Sequence, residues 1–229
     1  MSVTFGTSKL TQQQMADQEI ETFCPTNRQQ WREWLNEHHA TKQFIWLVYH
    51  KKNSAVTGIT YSEAVEEALC FGWIDSTVKP IDAERYRQFF SRRKPVSTWS
   101  KVNKERIQRL VDNGLMTKAG FDSLDTARRN GSWTILDEVE ALVLPADLAD
   151  AFRTRPSAER YFSSLCRSDR RNLLQWLVLA KRPETRQKRI ADLVEAADQN
   201  QKPKNFLWTK KRSTADEKET SQSATTDRS

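Results

Sequence analysis

Apolar positions change their period along the chain. "QFIWLVYHK" (43–51) is apolar on both alternating faces, with Phe44, Trp46 and Val48 on one and Ile45, Leu47 and Tyr49 on the other. That pattern predicts a central strand covered on both sides. Ahead of it, a short strand is expected near Glu19–Cys24, then a helix with Trp31, Trp34, Leu35 and His38 on one stripe. Thr26 and Gln29 stand in capping-box register at that helix's start. Thr60 and Glu63 form a second capping box, and Tyr61, Ala64, Val65, Ala68 and Leu69 follow it at helical spacing. Gly72 stands near the end of this helix. "WIDSTVK" then resumes strand alternation, with "ERYRQFFSR" as its partner across a turn at Pro80–Ala83.

From Ser97 the period is helical. "KVNKERIQRLVDNG" presents Ile107, Leu110 and Val111 and stops at Gly114; "TKAGFDSLDTARRNG" presents Phe121 and Leu124 and stops at Gly131. Pro145 suits the first position of a helix over "PADLADAFRT", and three further helical segments follow in close succession. The expected fold is α+β: a small N-terminal sheet with two helices (19–95), followed by an all-helical C-terminal module (96–200). Residues 1–18 read as a disordered arm. Residues 201–229 read as a loosely attached basic segment and then a polar disordered tail.

Composition supports a packed body, with eight Trp and ten Phe against six Gly and seven Pro in 229 residues. A chain of this size buries roughly 70–75% of its unfolded surface, so it needs no disulfide or metal to hold a core. Cys24, Cys70 and Cys166 are three widely spaced thiols, which suits a reducing compartment. The N-terminus does not read as a signal peptide, and no run approaches the ~18 apolar residues of a membrane span. A soluble cytoplasmic protein is expected, with weak nuclear import through the basic tail as an alternative.

Charge is unevenly distributed. The net +7 comprises +8 over residues 85–109, +8 over residues 153–189 and −9 over the remainder. Two basic blocks on an acidic body point to an anionic small molecule or polyanion, nucleic acid included, unless they are solvated helix faces.

Three stretches carry a family resemblance: "TYSEAVEEALCFGWIDS", "RYRQFFSRRKPVSTWSKVNKERI" and "AERYFSSL…AKRPETRQKRI". In this order they resemble the YdeI/OmpD-associated family of bacteriocin-protection proteins, over roughly 22–195. The resemblance implies a role in resistance to antimicrobial peptides and an association with an outer-membrane porin. It transfers no catalytic residue and no cofactor. The polar arm and the tail with Trp208 lie outside the family's pattern.

Candidate chemistry concentrates between Cys70 and Lys101. Arg92, Arg93 and Lys94 precede Ser97, Ser100 and Lys101 at the start of an expected helix, where free N–H groups and the helix dipole favour an anion. Trp99 could stack on a base or on an arginine, and Trp73 is a second candidate platform. Asp75 is a weak catalytic candidate: on a strand it shares a face with Trp73, Thr77 and Lys79, and it is either an acid/base or paired with Arg85 or Arg87. Cys70 reads as a buried structural thiol. Adjacent His38 and His39 point ~100° apart on a helix, so no metal site is expected. Arg182, Arg186 and Arg189 could extend the anionic footprint, or Glu184 and Lys188 could simply decorate a solvent face.

The resulting expectation is a non-enzymatic intracellular stress-tolerance protein binding an anion through the basic cradle. The alternatives are an enzyme acting on a small phosphorylated or carboxylated substrate through Asp75, and a non-specific nucleic-acid binder. A basic protein repels cationic peptides, so their direct sequestration is physically unfavourable.

Overall fold

A computed structural model describes residues 20–52, 54–204 and 206. Four strands lie in the order β1 (Thr22–Phe23), β2 (Phe44–His50), β4 (Arg85–Arg92), β3 (Trp73–Pro80). β1 runs parallel to β2, which requires a crossover, and α1 (Arg28–His38) supplies it. β2–β4 and β3–β4 are antiparallel. The α+β class stands as expected, with the hairpin and both N-terminal helices in place.

α1 starts one residue later than the expected capping box. Asn27 is the N-cap, and its side chain accepts from the Gln30 N–H at 3.0 Å, while the Gln30 side chain accepts from the Thr26 N–H at 2.9 Å. α2 (Tyr61–Cys70) carries the full Thr60–Glu63 box. The core face of the sheet buries Ile45, Leu47 and Tyr49 with Trp31 and Trp34 of α1 and Val65 and Leu69 of α2. On the opposite face Trp46 is also buried, though by the sheet's own side chains. Arg87 lies 4.4 Å and Lys79 5.3 Å from its ring, and Phe89 packs edge-on at 5.1 Å.

The chain divides into two compact units after Thr134. α3 (Lys101–Asp112) and α4 (Lys118–Arg129) belong to the sheet unit, because Ile107, Leu110, Leu124 and Ala127 complete the cluster that contains Trp73 and Trp99. Val111 and Phe121, expected on the apolar stripes, are exposed; on α4 the stripe runs through Gly120, Leu124 and Ala127 instead.

The second unit contains α5 (Asp137–Glu140), α6 (Ala146–Arg153), α7 (Pro156–Ser164), α8 (Arg167–Val178) and α9 (Pro183–Asp198). α9 packs against α6, α7 and α8 over Leu148, Phe152, Phe162, Leu173 and Leu193. Pro145 stands one position before α6 rather than in its first turn. The start of the expected tail is packed: Phe206 joins this core beside Trp176, and Lys202 pairs with Asp169. The expected arm (1–18) and the tail from 207 onward lie outside the described residues.

Candidate functional site

β3 contains a bulge between Asp75 and Val78. One extra residue reverses the face of everything beyond it. Asp75 therefore pairs opposite Phe90 on the core face, whereas Lys79 pairs opposite Arg87 on the outer one. The two do not share a face as the regular alternation predicted. Neither expected arginine reaches Asp75: Arg87 lies over Trp46, and Arg85 is held by Asp82 at 2.7 Å. Neutral donors serve it instead. Gln88 Nε2 donates to Asp75 Oδ2 at 2.6 Å and the Tyr61 hydroxyl donates to the same oxygen at 3.1 Å. Burial raises the Asp75 pKa, and the Tyr61 hydrogen bond together with the charges of Arg106 and Arg93 oppose the rise. The Tyr49 hydroxyl belongs to the same electrostatic neighbourhood, is buried without an acceptor, and is pushed far up by that burial.

The expected basic cradle assembles only in part. Arg92 is committed to the backbone: Nε donates to the Lys42 carbonyl at 2.9 Å and Nη2 to the Ala40 carbonyl, closing the turn after α1. Arg93 Cζ lies over Trp99, 3.6 Å from the ring centre, and Nη2 donates to the Thr98 carbonyl at 2.6 Å. Its Nε and Nη1 are buried with no acceptor, and burial lowers its pKa to about 10. Ser100 is the N-cap of α3 and accepts from the Asn103 N–H at 3.3 Å. Lys94 is exposed, Ser97 is half-buried, and exposed Lys101 lies 3.9 Å from Glu105. Neither tryptophan is an open platform: Trp73 is fully buried, and Trp99 is covered by Arg93 and Trp133.

Arg92 and Arg93 do line one cleft, of about 390 Å³, with His39, Gly72, Ser123 and Thr126 among the other walls. His39, Ser123 and Thr126 were missed from the sequence, because they lie on α1's end and on α4, distant along the chain. Their sequence neighbourhoods carry no signal that would have grouped them. Asp75 and Trp73 are not part of this cleft.

Most other notable polar groups are accounted for structurally. Glu67, 2% exposed, is clasped by Arg28 Nε at 2.5 Å and Arg32 Nη1 at 2.6 Å, joining α1 to α2. Burial, with Glu67 adding to it, pushes the Cys70 thiol up to about 11, the value of a packed thiol rather than a nucleophile. In the second unit Arg186 grips Asp147 through Nε at 2.6 Å and Nη2 at 2.9 Å, and Arg189 lies over Trp176 at 5.0 Å. Those two arginines serve the fold, while Arg182 is exposed ahead of α9. A cleft of about 780 Å³ lies between α6 and α9, floored by Ala151, Ile190, Ala191 and Val194. Among the described residues no group of three or more His, Cys, Asp or Glu is placed to hold a metal ion. No described helix is long and apolar enough to cross a membrane.

Two family models match the chain in separate segments. Residues 23–123 match a domain of unknown function, DUF8412, and residues 141–200 match the family described as Bacteriocin-protection, YdeI or OmpD-Associated. No curated protein and no solved structure matches. The resemblance expected over 22–195 is thereby corrected in extent. Its third stretch, "AERYFSSL…AKRPETRQKRI", falls inside the YdeI/OmpD-associated match, while its first two stretches fall within the DUF8412 segment. Through residues 141–200, in its helical unit, the chain carries the match to the bacteriocin-protection, YdeI or OmpD-associated family.

Proposed function

We propose that the protein acts in the cytoplasm without catalysis, in a stress-tolerance role of the YdeI/OmpD-associated type, by binding a small oxyanion in the Arg92–Arg93 cleft. The ligand class is a carboxylate or phosphate. One observation carries the reading: Arg93 lines the cleft and keeps two buried N–H groups without an acceptor. Each such group costs roughly 1–3 kcal/mol when left unmade, so an anion that accepts from the fork regains that loss. Ser123 adds a hydroxyl to the same wall, the Thr126 hydroxyl is donated to the Asp122 carbonyl at 2.8 Å, and the Asp122 carboxylate that also lines the cleft is paired with Lys118 at 2.6 Å.

The polyanion form of the idea has less support. Many cations of the two basic blocks are already paired within their own unit: Arg85 with Asp82, Arg109 with Glu66, Arg155 with Asp198 and Arg171 with Glu140. The test is a titration with inorganic phosphate and with acetate against chloride at matched ionic strength, read by thermal shift and calorimetry. Saturable stabilisation is expected. Arg93→Lys keeps the charge but loses the planar fork, and should weaken binding about tenfold, the loss expected of one charge-assisted bond. No saturable effect, or an Arg93→Lys variant that binds as tightly, overturns the proposal.

A second reading rests on Asp75, whose raised pKa suits a general acid or base. It requires substrate to reach a carboxylate that does not line the cleft. Turnover abolished by Asp75→Asn with phosphate binding intact would favour it.

A further inference from the structure

We propose that Cys24 is a reactive thiol, activated by His50, that takes up an oxygen atom from a small hydroperoxide. β1 pairs with β2 at Thr22↔Trp46 and Phe23↔Leu47, so Cys24 stands one step past this short ladder. His50 is the last residue of β2. The parallel pairing brings the two together: Cys24 Sγ lies 3.8 Å from His50 Nε2, although they are 26 residues apart. Behind the ring, Ser54 Oγ lies 3.5 Å from His50 Nδ1 and accepts from the Val56 N–H at 3.2 Å. With Nδ1–H donated to Ser54, Nε2 keeps its lone pair and faces the sulfur. This tautomer is assigned from the hydrogen-bond network. Nucleophile, base and orienting group are thus aligned in order.

Two other cysteines provide the contrast. Cys70 is buried in the core of the sheet unit. Cys166 is exposed like Cys24 and stands at the N-cap of α8, where the helix N-terminus favours a thiolate. Its neighbour, however, is the Ser168 hydroxyl at 3.3 Å, a far weaker base than imidazole, so it is a stringent comparison for a thiol without a histidine. The charged groups around the dyad belong to the β3–β4 turn and the start of β4. Arg85 stands opposite His50 in register and within electrostatic reach of the Cys24 thiolate. Asp82 binds Arg85, Glu84 lies beside it, and Lys51 donates to the Asp82 carbonyl. The Arg85–Asp82 pair is close to neutral, which leaves His50 as the main activating group.

The chemistry follows from an exposed thiol with an adjacent base. His50 Nε2 takes the thiol proton and the sulfur attacks one peroxide oxygen. The S–O bond forms as the O–O bond breaks. The departing hydroxide or alkoxide takes the proton back from His50 and leaves as water or alcohol. Cys24 becomes a sulfenic acid, oxidised by two electrons, and the peroxide is reduced by two. Neither cleft includes Cys24, so a small reagent that needs no binding pocket suits the site better than acyl transfer to a bound substrate.

The test uses the full chain in its native state. Iodoacetamide labelling of all three cysteines is followed by mass spectrometry from pH 5 to 9. Stoichiometric hydrogen peroxide is then added with a dimedone-type trap for sulfenic acid. At pH 7 Cys24 should label about tenfold faster than Cys166, and Cys70 should stay unlabelled. The trapped adduct should form at Cys24, and His50→Gln should bring Cys24 down to the Cys166 rate. Equal labelling of Cys24 and Cys166 in the wild type overturns the activation, without reliance on any variant. An unchanged rate in a folded His50→Gln variant overturns the role of His50. Fast alkylation with no trapped adduct overturns the peroxide chemistry.

Discussion

Glu67 and Asp75 are carboxylates of the same unit with opposite surroundings. Glu67 is met by two guanidiniums, whereas Asp75 receives only a phenol and an amide as direct partners. The consequence for Asp75 is a pKa raised by burial. Its native form holds a proton at pH values where the unfolded chain, with a carboxyl pKa of about 3.9, has lost it. Asp75 therefore lowers stability as pH rises through the window between about 3.9 and its folded value, and is neutral to stability below that window. Urea unfolding of the wild type and Asp75→Asn between pH 3 and 7 should show the wild type losing stability relative to the variant as pH rises. A relative gain would mean that attraction to Arg93 outweighs burial. The placement of Asp75 on the face of Trp73 was legible from the strand alternation. Its partners were not, because a single extra residue in β3 exchanges the face on which Lys79 lies, and the cross-strand register sets Asp75 opposite Phe90, three residues from Arg87 and so on the other face from it.

Among the elements, the helices were the most legible and their ends the least. The Thr60–Glu63 box is where the spacing placed it, but α1 caps one residue later, because Asn27 offers a better N-cap side chain than Thr26. α4 shows why an apolar stripe can be misassigned. The Thr117 hydroxyl and N–H both bond the Cys70 carbonyl, at 2.7 and 3.2 Å, and draw the first turn of α4 onto the end of α2. That contact fixes the helix rotation so that Gly120 faces inward and Phe121 outward. A Cβ at position 120 would lie 2.3 Å from the Cys70 carbonyl oxygen and 2.7 Å from Met116 Cε. The backbone oxygen cannot yield cheaply, so Gly120→Ala should destabilise the protein by about 2 kcal/mol or more, despite alanine's better helix propensity. Thermal unfolding would check this; an unchanged or raised Tm would show that α4 can slide away from α2.

At the scale of the whole molecule, each unit has its own buried cluster, one around Trp31, Trp73, Trp99 and Phe90 and the other around Phe152, Phe162, Leu173 and Leu193. A chain cut to residues 20–134 should therefore fold alone, with a cooperative urea transition and native near-ultraviolet tryptophan signals. A chain cut at the expected boundary, 20–95, should not, because it lacks Trp99, Ile107, Leu110 and Leu124 of the same cluster. A 20–95 fragment that folds cooperatively would show that α3 and α4 are accessories to the sheet. By itself the sequence determined what depends on neighbours along the chain: the helical and strand periods, the Thr60–Glu63 capping box, the β3–β4 hairpin and the α+β class. Tertiary structure decided what depends on residues meeting from far apart: the unit boundary at Thr134, the commitment of Arg92 to carbonyls at Ala40 and Lys42, and the approach of Cys24 to His50. Periodicity encodes which face of an element is apolar. It carries no record of which distant element covers that face, and candidate sites are made of such meetings.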